Sequence, residues 1–209
     1  MTFTFDVITA AEHDRLEAVY EPFAQAIREL IDAGVRTKVD SQTIAEATAA
    51  IEAITATLRR EQRDEPYAMR HADTGKPVVW TNPVVGLRNA MAPPLVVEHS
   101  EDGRCWSEFE LGAPYEGPLG LVHGGICALV LDQVLGEVAS GGLNEPRYTG
   151  TISCRYRRGT PLGPLRVEAY IDRTEGIKTF ARGHISDAEG ITVEAEGIFI
   201  TPAWARDAG

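Results

Sequence analysis

The chain has 209 residues, 44% of them apolar and 24% charged, enough for one full domain with an appendage or for two small domains. Its net charge of −11 argues against general binding to nucleic acid or anionic membranes, and no apolar run approaches the length of a bilayer span. Met1 to Asp6 lack a basic start followed by an apolar core, and Cys105, Cys127 and Cys154 are odd in number and unclustered; these features predict a cytoplasmic protein with free thiols and no metal site.

From residue 10 to 33, Leu16, Val19, Tyr20, Phe23, Ile27, Leu30 and Ile31 recur at three- and four-residue spacing, which predicts an amphipathic helix ended by Gly34. Ser41 is the expected N-cap of a second helix with the stripe Ile44, Ala47, Ile51, Ile54 and Leu58, running out in the charged segment Arg59 to Glu65. These two helices read as an extension over residues 1–75, either an antiparallel hairpin packed on the main domain (76–209) or a partner-binding arm. Pro66 to Pro94 is broken by prolines and glycines, so it reads as irregular connection with one short strand near Val78 to Trp80.

Beyond it, Leu95 to His99 and Arg104 to Leu111 form a hairpin about Ser100-Glu101-Asp102-Gly103. A loop, Gly112 to Val122, leads into a long apolar helix over 124–139. Four strands follow: Tyr148 to Tyr156, one whose inward face is marked by Leu165, Val167, Ala169 and Ile171, then Lys178 to Asp187 and Ile191 to Thr201, completing a meander. The predicted class is α+β, one long buried central helix wrapped by an antiparallel β-sheet, with an N-terminal α-helical extension.

The central helix carries the strongest chemical signal. Gly120-Leu121-Val122-His123-Gly124-Gly125 runs into an almost wholly apolar segment in which Asp132 stands two turns down. An ionised carboxylate there costs free energy unless it is paired or used. The alternatives are a capped structural Asp and glycines that serve only the backbone. Between Arg147 and Arg182, eight Lys and Arg face three acids, a local excess of +5 in an acidic chain. That bias fits a small anionic ligand, or else arginines that solubilise a sheet. Arg155 and Arg157 share a strand face that Arg158 opposes, which makes the first two the phosphate candidates. His99 and His184 read as sheet-surface residues.

This order of elements, with the His-Gly-Gly loop and an Asp nine residues after the His, resembles the hotdog-fold thioesterases of the PaaI-like group, most closely the subgroup of thioesterase superfamily members 4 and 5. The resemblance covers residues 86 to 202 and rests on Glu116 to Gly125, Leu131 to Gly136, Thr149 with Tyr156 to Leu162, and Thr174 to Phe180. It implies an acyl-CoA thioesterase with Asp132 as catalytic carboxylate, either general base or nucleophile. Gly124 would offer its amide to the thioester carbonyl, with His123 and Thr149 as supporting polar positions. Gly125, Arg155, Arg157 and the turn Ile177-Lys178-Thr179 would meet substrate and the nucleotide end of coenzyme A. It further implies a homodimer, alone or as a dimer of dimers, with shared active sites, and no cofactor beyond the coenzyme A thioester itself. Many PaaI-like enzymes carry Asn six residues before the His; this chain has Gly117, and Asn89 is the candidate to stand in. Gly117 also keeps open a non-catalytic acyl-CoA-binding or regulatory protein.

Overall fold

The computed structural model describes residues 6–63 and 68–206. Met1 to Phe5, and Asp64, Glu65 and Pro66 of the segments above, lie outside them. Strand β1 (Asp6–Ile8) leads into helix α1 (Ala10–Arg36), whose N-cap Thr9 accepts a hydrogen bond from the Glu12 amide. Gly34 does not end the helix, because it keeps a helical backbone rather than the left-handed conformation that makes glycine a stop; the helix runs on to Arg36, with Thr37 as its extended C-cap. Leu16 and Tyr20 pack against a small cluster of Ile8, Met69 and Trp80. Arg28 reaches sideways from α1 and donates to the carbonyls of Ala92 (2.9 Å), Leu87 (3.1 Å) and Asn89 (3.2 Å), so one side chain lashes the 87–92 loop to the helix.

Helix α2 (Ser41–Leu58) is capped by Asp40, one residue earlier than the Ser41 cap expected. The Asp40 carboxylate accepts from the amides of Gln42 (2.9 Å) and Thr43 (3.0 Å), and its charge complements the positive helix end where a serine hydroxyl has none to offer. Those bonds, Thr43's foremost, hold its pKa below the ordinary carboxylate range. No residue of α2 is buried, so the expected packed hairpin is not formed and the apolar stripe faces outward. After it, β2 (Met69–His71) lies parallel to β1 and antiparallel to β3 (Pro77–Val78). The single short strand read near Val78 is thus one of three. The strand β1 that pairs with β2 lies some sixty residues upstream of it, beyond any local pattern.

The main sheet has six strands: β4 (Glu98–His99), β5 (Cys105–Leu111), β6 (Tyr148–Tyr156), β7 (Gly163–Glu175), β8 (Lys178–Asp187) and β9 (Gly190–Ile200). Its order is β4-β5-β7-β8-β9-β6, antiparallel throughout. The meander expectation is therefore corrected at β6, which sits at the far edge beside β9. Helix α3 (Gly124–Ala139) and the connection after it carry the chain across the sheet before β6 begins. The hairpin strand is also shorter than read: Leu95 donates its amide to Val84 O instead of joining the sheet. A four-residue helix α4 (Ala203–Arg206) follows β9.

Against the sheet, α3 buries Cys127, Val130, Leu131, Val134, Leu135 and Val138 on Leu111, Val167, Ile185, Val193 and Phe199. Each fully buried large aliphatic contributes about 1.5–3 kcal/mol relative to exposure. Ile171, expected inward, is exposed, because β7 runs past the core and bulges between Ile171 and Arg173. The helix is also not enclosed all round as expected: Ile126, Leu129, Asp132, Gln133 and Gly136 form a face that is only half-covered. Among the described residues, no helix is long and apolar enough to cross a membrane.

Candidate active site

The loop that delivers the chain to α3 is built around His123. Its backbone is extended, and its Nδ1 accepts the Gly125 amide at 3.0 Å, so the imidazole caps the helix and that nitrogen carries no proton. The His123 carbonyl takes the Ile126 amide at 2.9 Å. Gly125, a substrate-contact candidate, thus has its amide engaged by the cap. The Gly124 amide has no acceptor among the described residues and stands at the positive end of the helix dipole.

Gly117, the departure noted above, has a steric cause. A Cβ there would stand 2.7 Å from His123 Cα, so the two backbone segments leave room for glycine alone and none for asparagine. Tyr156, which the sequence reading had not singled out, donates from its hydroxyl to the Gly124 carbonyl at 2.7 Å and lays its ring against that glycine.

Two turns down α3, Asp132 is half-buried and accepts a 2.9 Å hydrogen bond from the Thr149 hydroxyl. Two residues seventeen apart in sequence are joined because β6 starts beside the open face of α3. They line a cleft of about 580 Å³ with Gln133, Glu137, Arg147 and Trp204. The Asp132 carboxylate is therefore both paired and reachable from the cleft.

A second acid on the same helix escaped the sequence reading. Glu137 is 9% exposed, and its two oxygens meet His99 Nε2 at 3.0 Å and Gln133 Nε2 at 3.3 Å. Gln133 in turn accepts from Asn82 Nδ2 at 2.8 Å. A carboxylate so buried requires such partners, and the four-residue step from Gln133 to Glu137 was the available signal. His99, read as a surface residue, is tied through this pair to the end of α3. Burial, reinforced by the charge of Glu137, pushes the Cys105 thiol up to about 12.

The excess of positive charge read along the chain largely vanishes in space. Arg157 bonds Glu194 (2.9 Å), Arg158 chelates Asp187, Arg166 meets Glu168 (2.7 Å) and Glu108 (3.0 Å), and Arg173 meets Glu175 (2.6 Å) and Asp172 (2.8 Å). Arg147 pairs with Glu145, and Arg182 with Asp172 and Glu196. Several of these acids lie outside the counted segment. Of the eight cations, Arg155 and Lys178 have no ion-pair partner among the described residues, and both are exposed. In the neighbouring turn Ile177 is exposed, but Thr179 is buried within the sheet. Asn89 has its side chain engaged within its own loop, donating to Thr81 O (3.1 Å) and accepting from the Met91 amide (3.0 Å), and it does not line the Asp132 cleft.

Comparison with known proteins agrees with this architecture. The profile of the thioesterase superfamily matches residues 119–194, from the His-Gly-Gly loop into β9. A crystal structure described as a thioesterase superfamily protein is 33% identical, covers 87% of this chain and 90% of its own, and superposes with a TM-score of 0.76. Acyl-coenzyme A thioesterase THEM4 of Bos taurus is 27% identical over 109 residues, 51% of this chain; the match spans 44% of that relative. A long helix wrapped by a six-stranded antiparallel sheet is the hotdog fold, and the chain belongs to the thioesterase superfamily.

Proposed function

We propose that the protein hydrolyses acyl-coenzyme A to a free acid and coenzyme A, with Asp132 as general base. The observation that carries this reading is the Thr149–Asp132 hydrogen bond at the wall of an open cleft. Thr149 engages Oδ1 and fixes the carboxylate plane, which leaves Oδ2 to take a proton from water. The hydroxide equivalent adds to the thioester carbonyl, the tetrahedral intermediate collapses with cleavage of the C–S bond, and the coenzyme A sulfur leaves as the thiol, taking the proton that Asp132 holds and so restoring the carboxylate. Negative charge gathers on the carbonyl oxygen, where an unengaged amide at a helix N-terminus stabilises it; the Gly124 amide is such a donor. Water, a carboxylate and an amide suffice for these steps, so the reaction needs no metal or redox group.

Asp132 lies eight residues beyond Gly124, roughly 12 Å along α3 at ~1.5 Å per residue, too far for both to reach one carbonyl. A homodimer resolves the distance, since an antiparallel neighbouring helix brings Asp132 of one copy beside Gly124 of the other. Two features support it: the half-covered face of α3 that holds Asp132, and β6, a nine-residue edge strand with Tyr148 and Tyr156 exposed and one row of backbone groups unpaired. Arg155 and Lys178 are the cations free to meet the phosphates of coenzyme A, and Arg157 would first have to leave Glu194.

The test is release of free thiol from a panel of acyl-CoAs. Asp132→Asn keeps shape and hydrogen bonding but cannot take a proton, so kcat/KM should fall by about 10²–10⁴ with Tm unchanged. Undiminished turnover in that variant would overturn the assignment. The second reading, a non-catalytic acyl-CoA-binding protein, draws on Gly117 and is supported if the wild type binds acyl-CoA and releases no thiol.

A further inference from the structure

Among the described residues, helix α2 has no packing partner of its own. It is joined to α1 by the four-residue link 37–40, none of its 18 residues is buried, and only Thr55 is half-covered. A helix of this length, about 27 Å, is marginal alone in water, the more so with Ile44, Ile51, Ile54 and four threonines lowering its propensity. Its large apolar side chains follow a seven-residue repeat: Ile44, Ile51 and Leu58 in one position, Ala47 and Ile54 in the position three further on. All but Ala47 stand 40% to 58% exposed. The positions flanking this seam hold Thr48, Ala50, Thr55 and Thr57 and carry no charge. Thr48 and Thr57 donate their hydroxyls to the carbonyls of Ile44 (2.9 Å) and Ala53 (3.1 Å), so these donors are engaged within the helix itself. The seam is narrow, apolar and small-sided, the surface one helix offers another.

The charges decide which helix. Asp40 and Glu46 outweigh Lys38 at the N-terminal end of α2, and Arg59 and Arg60 outweigh Glu61 at the C-terminal end, so the two ends carry opposite net charge. We propose that α2 pairs antiparallel with α2 of a second copy of this chain, about a twofold axis at Ile51, forming a self-interface separate from the β6 edge. Antiparallel pairing sets the acidic end of each helix beside the basic end of the other and opposes their dipoles; parallel pairing would set like against like at both ends. One stripe that is self-complementary under a twofold rotation needs no second kind of partner. The seam is centred on Ile51, so Ile44 faces Leu58 of the other copy.

Cysteine cross-linking of the full-length protein tests the register. Ile51→Cys should give a covalent dimer under mild oxidation, because a residue on the axis meets itself within disulfide reach, Cα atoms roughly 4.4–6.8 Å apart. Ile44→Cys and Leu58→Cys should each stay unlinked alone, their counterparts lying about 21 Å apart at ~1.5 Å per residue, yet link when mixed under distinct tags. Wild-type protein with its three native thiols is the control, and Ile54→Glu added to Ile51→Cys should abolish the link. The proposal is overturned if Ile51→Cys does not link, if Ile44→Cys links to itself, or if the link survives Ile54→Glu, which would mark random collision. These positions are exposed, so folding is not at stake, and no outcome depends on thioesterase activity.

Discussion

The two long faces of α3 are made of one continuous segment and differ in almost every physical respect. The sheet side, Val130, Leu131, Val134, Leu135 and Val138, is sealed and apolar, and its identity is fixed by volume. The open side, Leu129, Asp132, Gln133 and Gly136, is half-covered and polar at its centre, where Asp132 and Gln133 are engaged by hydrogen bonds. On the proposed assignment of Asp132, the same helix separates the requirements for folding from those for chemistry by about half a turn. Substitutions on one face should move stability, and on the other, activity.

The largest effect expected on the packed side is that of Leu135→Ala. Leu135 is fully buried and fills the space above Gly183 and Gly197, positions where the sheet has no side chain to collapse into a void. The variant should lose about 2–5 kcal/mol of stability in a urea or thermal melt while its remaining folded fraction keeps normal kcat. A loss of kcat at temperatures where the variant is fully folded would show that the two faces are not separable.

The packed face was the easier one to read from sequence. Apolar periodicity marked the bounds of α3 and most of the main strands, because burial imposes a repeat on every residue it touches. What periodicity could not give was pairing across distance. The position of β6 beside β9, the β1–β2 pair and the His99–Glu137 bond each join residues tens of positions apart. Asp132 stood out because it broke an apolar pattern, and Thr149 came from the family resemblance. Glu137 broke the same pattern near the helix end, where a charge is ordinary, and so passed unread. The arginines misled for a related reason: a count along the chain cannot see Glu108, Asp187, Glu194 and Glu196 arriving from other strands.

The loop at the start of α3 offers an intermediate case, in which a packing change should be read out as chemistry. Gly117→Ala places a methyl group 2.7 Å from His123 Cα, and because the obstacle is backbone, His123 must shift. Its cap on Gly125 and the position of the Gly124 amide shift with it. A displacement on the order of 1 Å in a reacting group can lower activity about 10²-fold. We expect kcat to fall on that scale in the thiol-release assay, with a smaller loss of stability of about 1–3 kcal/mol from overpacking. Unchanged kcat would detach this loop from the catalytic face.

The smallest expected effect isolates the open face most cleanly. Thr149→Val is nearly isosteric and removes only the hydroxyl that donates to Asp132 at 2.9 Å. Thr149 is exposed, so water replaces the lost donor, and the stability change should not exceed about 0.5–1.5 kcal/mol, the net worth of an ordinary hydrogen bond. Asp132 keeps its charge but loses the contact that fixes its plane, so kcat should drop about tenfold, ~1.4 kcal/mol in the barrier. Thr149→Ser restores the donor and should recover most of the rate. If serine fails where threonine succeeds, the methyl group rather than the hydroxyl sets the geometry, and the open face of α3 would then obey the same packing rules as the sealed one.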